Sequence, residues 1–211
     1  MPARKTGTTK KSLYSVHPGV AMAQAWEQTL REKTGRTLAE WVALVTNEGP
    51  ATEKEQREWL KNQYKLGTNS AIWIVERAGG NGDTFTDVES YLAAAETWVA
   101  AMFSGGKAGL RPLYDALLNI CLEMGADISI CPGKTIVPVY RHHVIAQLRP
   151  ATRTRLDFGF ALGKMPATGR LIDTGGAAKG DRITHRIGLG ALADIDDEIT
   201  HWLRMAYVLD A

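Results

Sequence analysis

The fold is decided by the stretch Lys134-Thr-Ile-Val-Pro-Val-Tyr-Arg-His-His-Val-Ile-Ala-Gln-Leu-Arg149 and by its continuation Arg155-Leu-Asp-Phe-Gly-Phe160. Polar and apolar residues alternate in much of both segments, a pattern typical of half-buried β-strands. One predicted face carries His143, Ile145, Gln147 and Arg149, and the other carries Val144, Ala146 and Leu148. Because successive side chains point to opposite faces of a strand, we predict antiparallel strands with an apolar side and a cationic side.

Two neighbouring segments repeat the alternation. After Pro150, the polar set is Arg153, Arg155 and Asp157, and the apolar set is Leu156, Phe158 and Phe160. Farther along, Arg182, Thr184 and Arg186 alternate with Ile183, His185, Ile187 and Leu189. We therefore predict that three strands gather their arginines on one sheet face, while helices cover the other face.

The segment before the sheet has the signals of short helices. Start and stop residues stand at Pro18, Gly35, Thr37, Thr52 and Gly67. The two threonines each open a capping box, with a glutamate three residues later. We predict a bundle of four short helices. A helix-turn-helix DNA reader is disfavoured, because the candidate recognition helices carry few side chains suited to base edges.

The domain organisation follows from these patterns. We predict a basic flexible tail over residues 1–15, a helical domain over 16–78 and an antiparallel-sheet domain over 84–211. The glycine-rich segment Gly79-Gly-Asn-Gly-Asp83 marks the boundary. In the second domain two helices precede the strands, and a last helix follows Asp194, so the predicted class is α+β.

Composition limits the cellular context. The chain has 211 residues and a net charge of +2, so its overall charge favours no partner. It contains no apolar run long enough to span a bilayer, and Met1–Lys11 lacks the apolar core of a secretory signal. Cys121 and Cys131 do not make a disulfide framework, and we predict a cytoplasmic protein without membrane contact.

One motif resembles a nucleotide-binding loop but lacks parts of the required pattern. Gly133-Lys-Thr135 could end a phosphate loop, but that loop requires a glycine where Ile128 stands and a helix after the threonine. A β-rich segment follows instead. Lys134 can still contact an anion as a point charge.

The histidines offer few candidates for metal binding or catalysis. His142 and His143, taken with Cys131 and His185, match no paired-ligand spacing for zinc, so we predict no metal and no cofactor. His143 and His185 are weak candidates for acid/base chemistry. Strict alternation places His185 on the apolar face, which favours a packed core histidine.

The remaining functional signal is positive charge. The candidate anion-binding residues are Lys134, Arg141, Arg149, Arg153, Arg155, Arg182 and Arg186. Guanidinium groups suit phosphate and carboxylate. Aromatic residues are not interleaved with these cations, so we expect contact with a nucleic-acid backbone rather than base stacking. The competing interpretation is a solvated face whose arginines pair with Asp157 and with the acidic start of the last helix.

These observations leave three hypotheses. The first is a non-enzymatic protein whose cationic sheet face binds an anionic partner, most plausibly nucleic acid. The second is an enzyme or sensor for a small phosphate or carboxylate ligand. Its pocket would lie between the sheet and the loop at 164–180, with Arg182 and Arg186 as a clamp and His143 or His185 as acid/base. The third is a protein that binds a protein partner through its helical domain.

Two sets of residues resemble known families. Glu32-Lys-Thr-Gly-Arg-Thr37, Glu58-Trp-Leu-Lys61 and Leu66-Gly67 resemble DUF4287, a small bacterial helical domain of unknown function. The second half of the chain resembles DUF5655, another domain of unknown function, which often forms the C-terminal half of such two-domain proteins. The residues that carry this resemblance are Cys131-Pro-Gly-Lys-Thr135, Leu156-Asp-Phe-Gly159, Asp181-Arg-Ile-Thr-His-Arg186 and Ala206-Tyr207. The second half also distantly resembles the frataxin-like iron chaperones. Those proteins need an acidic surface, whereas this sheet face is basic. The resemblances imply an architecture and no activity.

Overall fold

A computed structural model of the protein describes residues 12–80 and 87–211. These residues divide into two compact units, one made of 17–80 and 87–94, the other of 12–16 and 95–211. Most of the predicted N-terminal tail and the centre of the predicted domain boundary, residues 81–83, lie outside the described residues. The predicted α+β class is confirmed.

The first unit is built on four short helices, as the cap signals predicted. They are α1 (Pro18–Thr34), α2 (Leu38–Glu48), α3 (Glu53–Tyr64) and α4 (Thr68–Ala78). Both capping boxes are formed, because Thr37 and Thr52 each accept a hydrogen bond from the backbone of the glutamate three residues later. The core between these helices includes Leu60, Ala71 and Ile74, which are fully buried.

The second unit combines helices with one sheet. Its helical elements are α5 (Val88–Met102), whose residues from Ala95 onward belong to this unit, a 3₁₀ helix (Gly105–Leu110), α6 (Arg111–Glu123), α7 (Gly176–Lys179) and α8 (Asp197–Leu209). The strands are β1 (Ser129–Ile130), β2 (Val137–Tyr140), β3 (Val144–Pro150), β4 (Leu156–Phe160), β5 (Ile172–Asp173) and β6 (His185–Leu189). They pair antiparallel in the order β1-β2-β3-β4-β6-β5.

The register of the central strands sets the polar face. Arg149 on β3 lies opposite Asp157 on β4, and Gly159 on β4 lies opposite Arg186 on β6. The intervening residues, including Leu148 and Phe158, are fully buried. The predicted alternation therefore holds in the centre of the sheet, and it brings two of the candidate arginines to the same face.

The alternation fails at the start of the last strand. The predicted strand over residues 181–189 begins only at His185. Ile183 was predicted on the apolar side, but a Cβ placed on Gly159 would lie 2.7 Å from its Cγ2 atom. Ile183 therefore lies over Gly159 on the polar face of the sheet. It can do so because the residues before His185 are not part of the paired strand, so their side chains need not alternate between the two faces.

Candidate anion-binding surface

Three candidate arginines share one buried carboxylate. Asp157 accepts from Arg155 Nε at 2.9 Å and from Arg149 Nη2 at 3.3 Å, and Arg186 Nη1 lies 3.4 Å from it. Asp157 is buried, while the three arginines reach solvent. Three positive charges thus surround one buried negative charge in this cluster.

The backbone explains why this cluster forms. Arg149 and Asp157 are directly opposed in the β3–β4 ladder, and Arg155 precedes Asp157 by two residues, on the same face. Gly188 supplies the space that Arg155 occupies, since a Cβ at Gly188 would lie 2.9 Å from Arg155 Cδ. A side chain at Gly188 would force Arg155 away from the carboxylate.

A cationic cleft adjoins this cluster at Arg149. It has a volume of about 570 Å³ and is lined by Lys107, Lys134 and Arg149, together with Ser104 and Thr135. None of the acidic residues in the described part of the chain lines it. Lys107 is held in place because its Nζ donates to the backbone oxygen of Pro150 at 2.7 Å. Two glycine-lysine segments, one from the 3₁₀ helix and one from the loop before β2, therefore meet at this cleft.

Arg153 lies beside the same 3₁₀ helix. A Cβ placed on Gly106 would lie 3.3 Å from Arg153 Cδ, so the arginine passes over the residue next to Lys107. We call the combined surface the cationic strip; its members are Lys107, Lys134, Arg149, Arg153, Arg155 and Arg186. Six positive charges meet the carboxylate of Asp157, and Asp173 and Asp181 line a cavity together with Arg149 and Arg186, so the strip and the carboxylates beside it carry a net charge of +3.

The pocket proposed for a small-anion clamp has a different composition. A cavity of about 450 Å³ does lie between the sheet and the loop before β6, and Arg149 and Arg186 line it. Asp157, Asp173 and Asp181 line it too, so carboxylates outnumber guanidinium groups. Neither Arg182 nor the two candidate histidines are among its lining residues.

Arg141 and Arg182 each bind a carboxylate of their own. Arg141 Nε donates to Asp127 at 2.8 Å, and its guanidinium stacks on the Tyr207 ring at 4.1 Å. Arg182 pairs with Asp210 and donates through Nε to the backbone oxygen of Val144 at 2.9 Å. These two candidates therefore lie outside the cationic strip.

The acidic start of α8 is paired with an arginine that was not a candidate. Arg170 binds Glu198 at 2.8 Å and Asp196 at 2.5 Å. The competing interpretation of the sequence assigned the arginines of the sheet to Asp157, which three of them do bind, and to these acids. Because Arg170 occupies them, none of the described ion pairs links them to the cationic strip.

His143 forms part of the contacts that hold the end of the chain. Its Nδ1 lies 3.0 Å from Asp210 Oδ1, and the backbone N–H groups of His142 and His143 both donate to Asp210 at 2.9 Å. Burial opposes the ionisation of Asp210, but hydrogen bonds from His143 and His142 and the charge of Arg182 hold the pKa of that carboxyl below its usual range.

His185 is a core residue. It is only 1% exposed, its Nε2 donates to the backbone oxygen of Met165 at 2.8 Å, and its Nδ1 lies 2.9 Å from the Thr184 hydroxyl. A side chain so enclosed is positioned for packing rather than for contact with a substrate.

The residues weighed for zinc binding are separate from one another. Cys131 is buried and donates through Sγ to the backbone oxygen of Val16 at 3.7 Å, and burial raises the pKa of its thiol to about 12. His143 contacts Asp210 and His185 contacts Met165, as described above. Across residues 12–80 and 87–211, no three metal-ligating side chains come together.

Lys107 is the member of the strip that sequence reasoning missed. Ser104-Gly-Gly-Lys107 was interpreted only as a break between two helices. A signal was present, because Gly106-Lys107 repeats the glycine-lysine pair of Gly133-Lys134. What the sequence does not show is that the two segments, far apart along the chain, line one cleft.

Comparison with known families assigns both halves of the chain. A family model described as a domain of unknown function, DUF5655, matches residues 99–210, which is more than half of the chain. The chain belongs to the DUF5655 family. A second model, the domain of unknown function DUF4287, matches residues 23–79. Both resemblances predicted from the sequence are thereby confirmed, and the cationic strip falls within the DUF5655 match. No curated protein and no solved structure matches the chain.

The helices were also compared with the requirements of a bilayer span. None of those described combines the length and the hydrophobicity that crossing a membrane demands.

Proposed function

We propose that the DUF5655 domain of this protein binds the phosphate backbone of nucleic acid through the cationic strip. One observation carries the proposal: Arg149, Arg155 and Arg186 share a single buried carboxylate, and Arg149 also lines a cleft with Lys107 and Lys134. The surplus positive charge is continuous across these groups. Ion pairs within the domain compensate only a small part of it.

A polyanion fits this arrangement better than a single ion does. Successive phosphates can occupy the cleft and then the arginine cluster, where guanidinium groups offer paired N–H donors. Neither the cleft nor the arginine cluster includes an aromatic side chain. We therefore expect backbone contact that depends on salt and not on base sequence.

The proposed role is binding without catalysis, in the cytoplasm. The two histidines considered for acid/base chemistry are engaged in structural contacts, and His185 is buried. A small phosphate or carboxylate compound is a second candidate ligand. The observation in its favour is the cleft of about 570 Å³, which has three cationic residues and no acidic residue in its lining.

Fluorescence anisotropy with random-sequence duplex and single-stranded oligonucleotides, measured across a salt series, tests the first candidate. We expect affinity to fall steeply with salt and to change little with sequence. Lys134→Gln should reduce the slope of log K against log salt by about one. Arg204→Gln, which neutralises an exposed cation on α8, is the matched control and should leave the slope nearly unchanged.

Two results would decide against the proposal. Absence of binding at low salt would remove it, and equal slopes for Lys134→Gln and Arg204→Gln would show a response to net charge alone. Competition by inorganic phosphate at concentrations too low to act as bulk salt would instead support the small-anion candidate.

A further inference from the structure

The helical unit contains a cleft with a composition of its own. Its volume is about 580 Å³, and it lies where the ends of α1 and α3 meet the start of α4. The cationic and aromatic residues of its lining are Lys33, Arg36, Lys65, Trp26, Trp41 and Tyr64. Among residues 12–80 and 87–211, no acidic side chain lines it. Positive charge and aromatic rings thus occur together here, which the cationic strip does not offer.

Arg36 stacks on two aromatic rings in this cleft, and its charge adds to the hydrogen bonds from Thr37 that lower the pKa of the Glu40 carboxyl. Its guanidinium carbon lies 5.0 Å from the centre of the Trp41 ring and 5.5 Å from that of Tyr64. Cation–π contacts orient the group without using its N–H donors. Within the described chain, its guanidinium N–H groups make no hydrogen bond or ion pair, so they remain available to an anion.

Lys65 occupies a backbone conformation that normally selects glycine. It ends α3 with φ 58° and ψ 28°, and elsewhere in the described residues positive φ occurs only at glycine. A glycine would end the helix at lower conformational cost. The Lys65 side chain lines the cleft, which gives the unusual choice a functional explanation.

The tryptophans of the cleft are fixed by hydrogen bonds at their edges. The indole N–H of Trp26 donates to Ser70 Oγ, and that of Trp41 donates to Thr34 Oγ1, both at 3.0 Å. Trp26 also packs edge-on against Trp73, with ring centres 4.8 Å apart. The polar edges are therefore satisfied. Trp41 is buried, and the half-buried rings of Trp26 and Tyr64 leave apolar surface for a ligand.

We propose that this cleft binds a small ligand that carries an anionic group on a planar ring, such as an aryl phosphate. Arg36, Lys33 and Lys65 contact the anionic group, and the ring packs against the aromatic lining. The inference does not depend on the cationic strip, because the two sites belong to different units and share no residue.

Phenyl phosphate is the probe, and the indole N–H signals of the full-length protein in NMR spectra are the readout. Single Trp→Phe variants assign the signals. We expect phenyl phosphate to shift those of Trp26 and Trp41 saturably, while Trp202, which lies in the other unit, does not respond. Phenol lacks the anionic group and inorganic phosphate lacks the ring, so each should bind at least about tenfold more weakly. For phenol this is the effect of losing roughly one charge-assisted hydrogen bond, and for inorganic phosphate it is the effect of losing the buried ring surface.

Two variants test the residues, and one serves as control. Arg36→Gln should weaken phenyl phosphate binding about tenfold. Lys65→Gly should weaken it while the melting temperature stays the same or rises, a combination that a purely structural role for Lys65 does not produce. Lys54→Gln, which neutralises an exposed lysine on α3 outside the cleft, should bind as the unaltered protein does.

Three outcomes would overturn the proposal. They are the absence of a saturable shift at Trp26 and Trp41, binding of inorganic phosphate or phenol as tight as that of phenyl phosphate, and equal losses of affinity in Lys54→Gln and in the two cleft variants.

Discussion

Replacing Asp157 by asparagine should lower the stability of the protein and raise its affinity for polyanions. Asparagine keeps the size of the side chain and removes the charge. In the native protein this buried carboxylate has three guanidinium partners, at 2.9, 3.3 and 3.4 Å. Without the charge, three mutually repelling arginines remain on neighbouring strands, and the net charge of the cationic strip rises by one.

The exposure of the arginines sets the size of the stability effect. Their side chains are 52%, 47% and 29% exposed for Arg149, Arg155 and Arg186, so solvent screens each pair. Pairs of this kind contribute about 0.2–1 kcal/mol each. We therefore expect the three together to contribute about 1–3 kcal/mol to the free energy of unfolding. The guanidinium group that is freed adds about one to the salt slope of polyanion binding.

Urea unfolding and the anisotropy salt series measure the two effects on the same variant. Asp115→Asn is the control, because Asp115 forms an exposed pair with Arg111 at 2.8 Å, four residues away on α6. That variant should lose only about 0.3–0.5 kcal/mol and leave polyanion binding unchanged. If Asp157→Asn matched the control in stability, the carboxylate would not hold the cluster together. If it bound oligonucleotides no more tightly than the native protein, the strip would not be the binding surface.

Three further predictions concern single groups. Lys65→Gly should raise the free energy of unfolding by about 0.5–1 kcal/mol in urea titrations, because glycine adopts the left-handed conformation without a Cβ penalty. Asp210→Asn should lower it by about 1.5–3 kcal/mol near neutral pH. Because the folded pKa of Asp210 lies below the unfolded value, this stabilisation is present above the unfolded pKa and is lost as pH falls through the folded pKa, so the difference between variant and native protein should shrink in acid. In the native protein Cys131 should react with iodoacetamide far more slowly than after unfolding, because burial raises the pKa of its thiol to about 12, and mass spectrometry of quenched samples follows the reaction.

Features set by neighbouring residues were predictable from the sequence. The capping boxes at Thr37 and Thr52 mark the starts of α2 and α3, because each needs only a glutamate three residues later. Likewise, alternation over β3 and β4 places Arg149 and Asp157 on one face, since side-chain direction in a paired strand follows residue parity. The α+β class follows from these local signals and their order along the chain.

Contacts between distant segments were not predictable in the same way. The pairing of Arg182 with Asp210 and of Arg141 with Asp127 depends on how α8 and the loops pack, which local patterns do not encode. The same is true of Lys107, whose position beside Lys134 results from tertiary structure. The sequence therefore indicates the arginines and their partner Asp157, but not Asp127 and Asp210, the partners of Arg141 and Arg182.

The positions of Arg182 and Arg186 show that residue parity predicts side-chain direction only within a paired strand. Four residues apart, they would share a face in an unbroken strand, and no local pattern separates them. The ladder begins only at His185, so Arg186 is held opposite Gly159, whereas Arg182 is free to turn toward Asp210. Asp210 is then shared by one arginine, one imidazole and two backbone N–H groups, while Asp157 is shared by three arginines. The local surplus of positive charge, and with it the capacity to bind an anion, therefore depends on how many guanidinium groups share one carboxylate. The pairing of the strands places three guanidinium groups around Asp157.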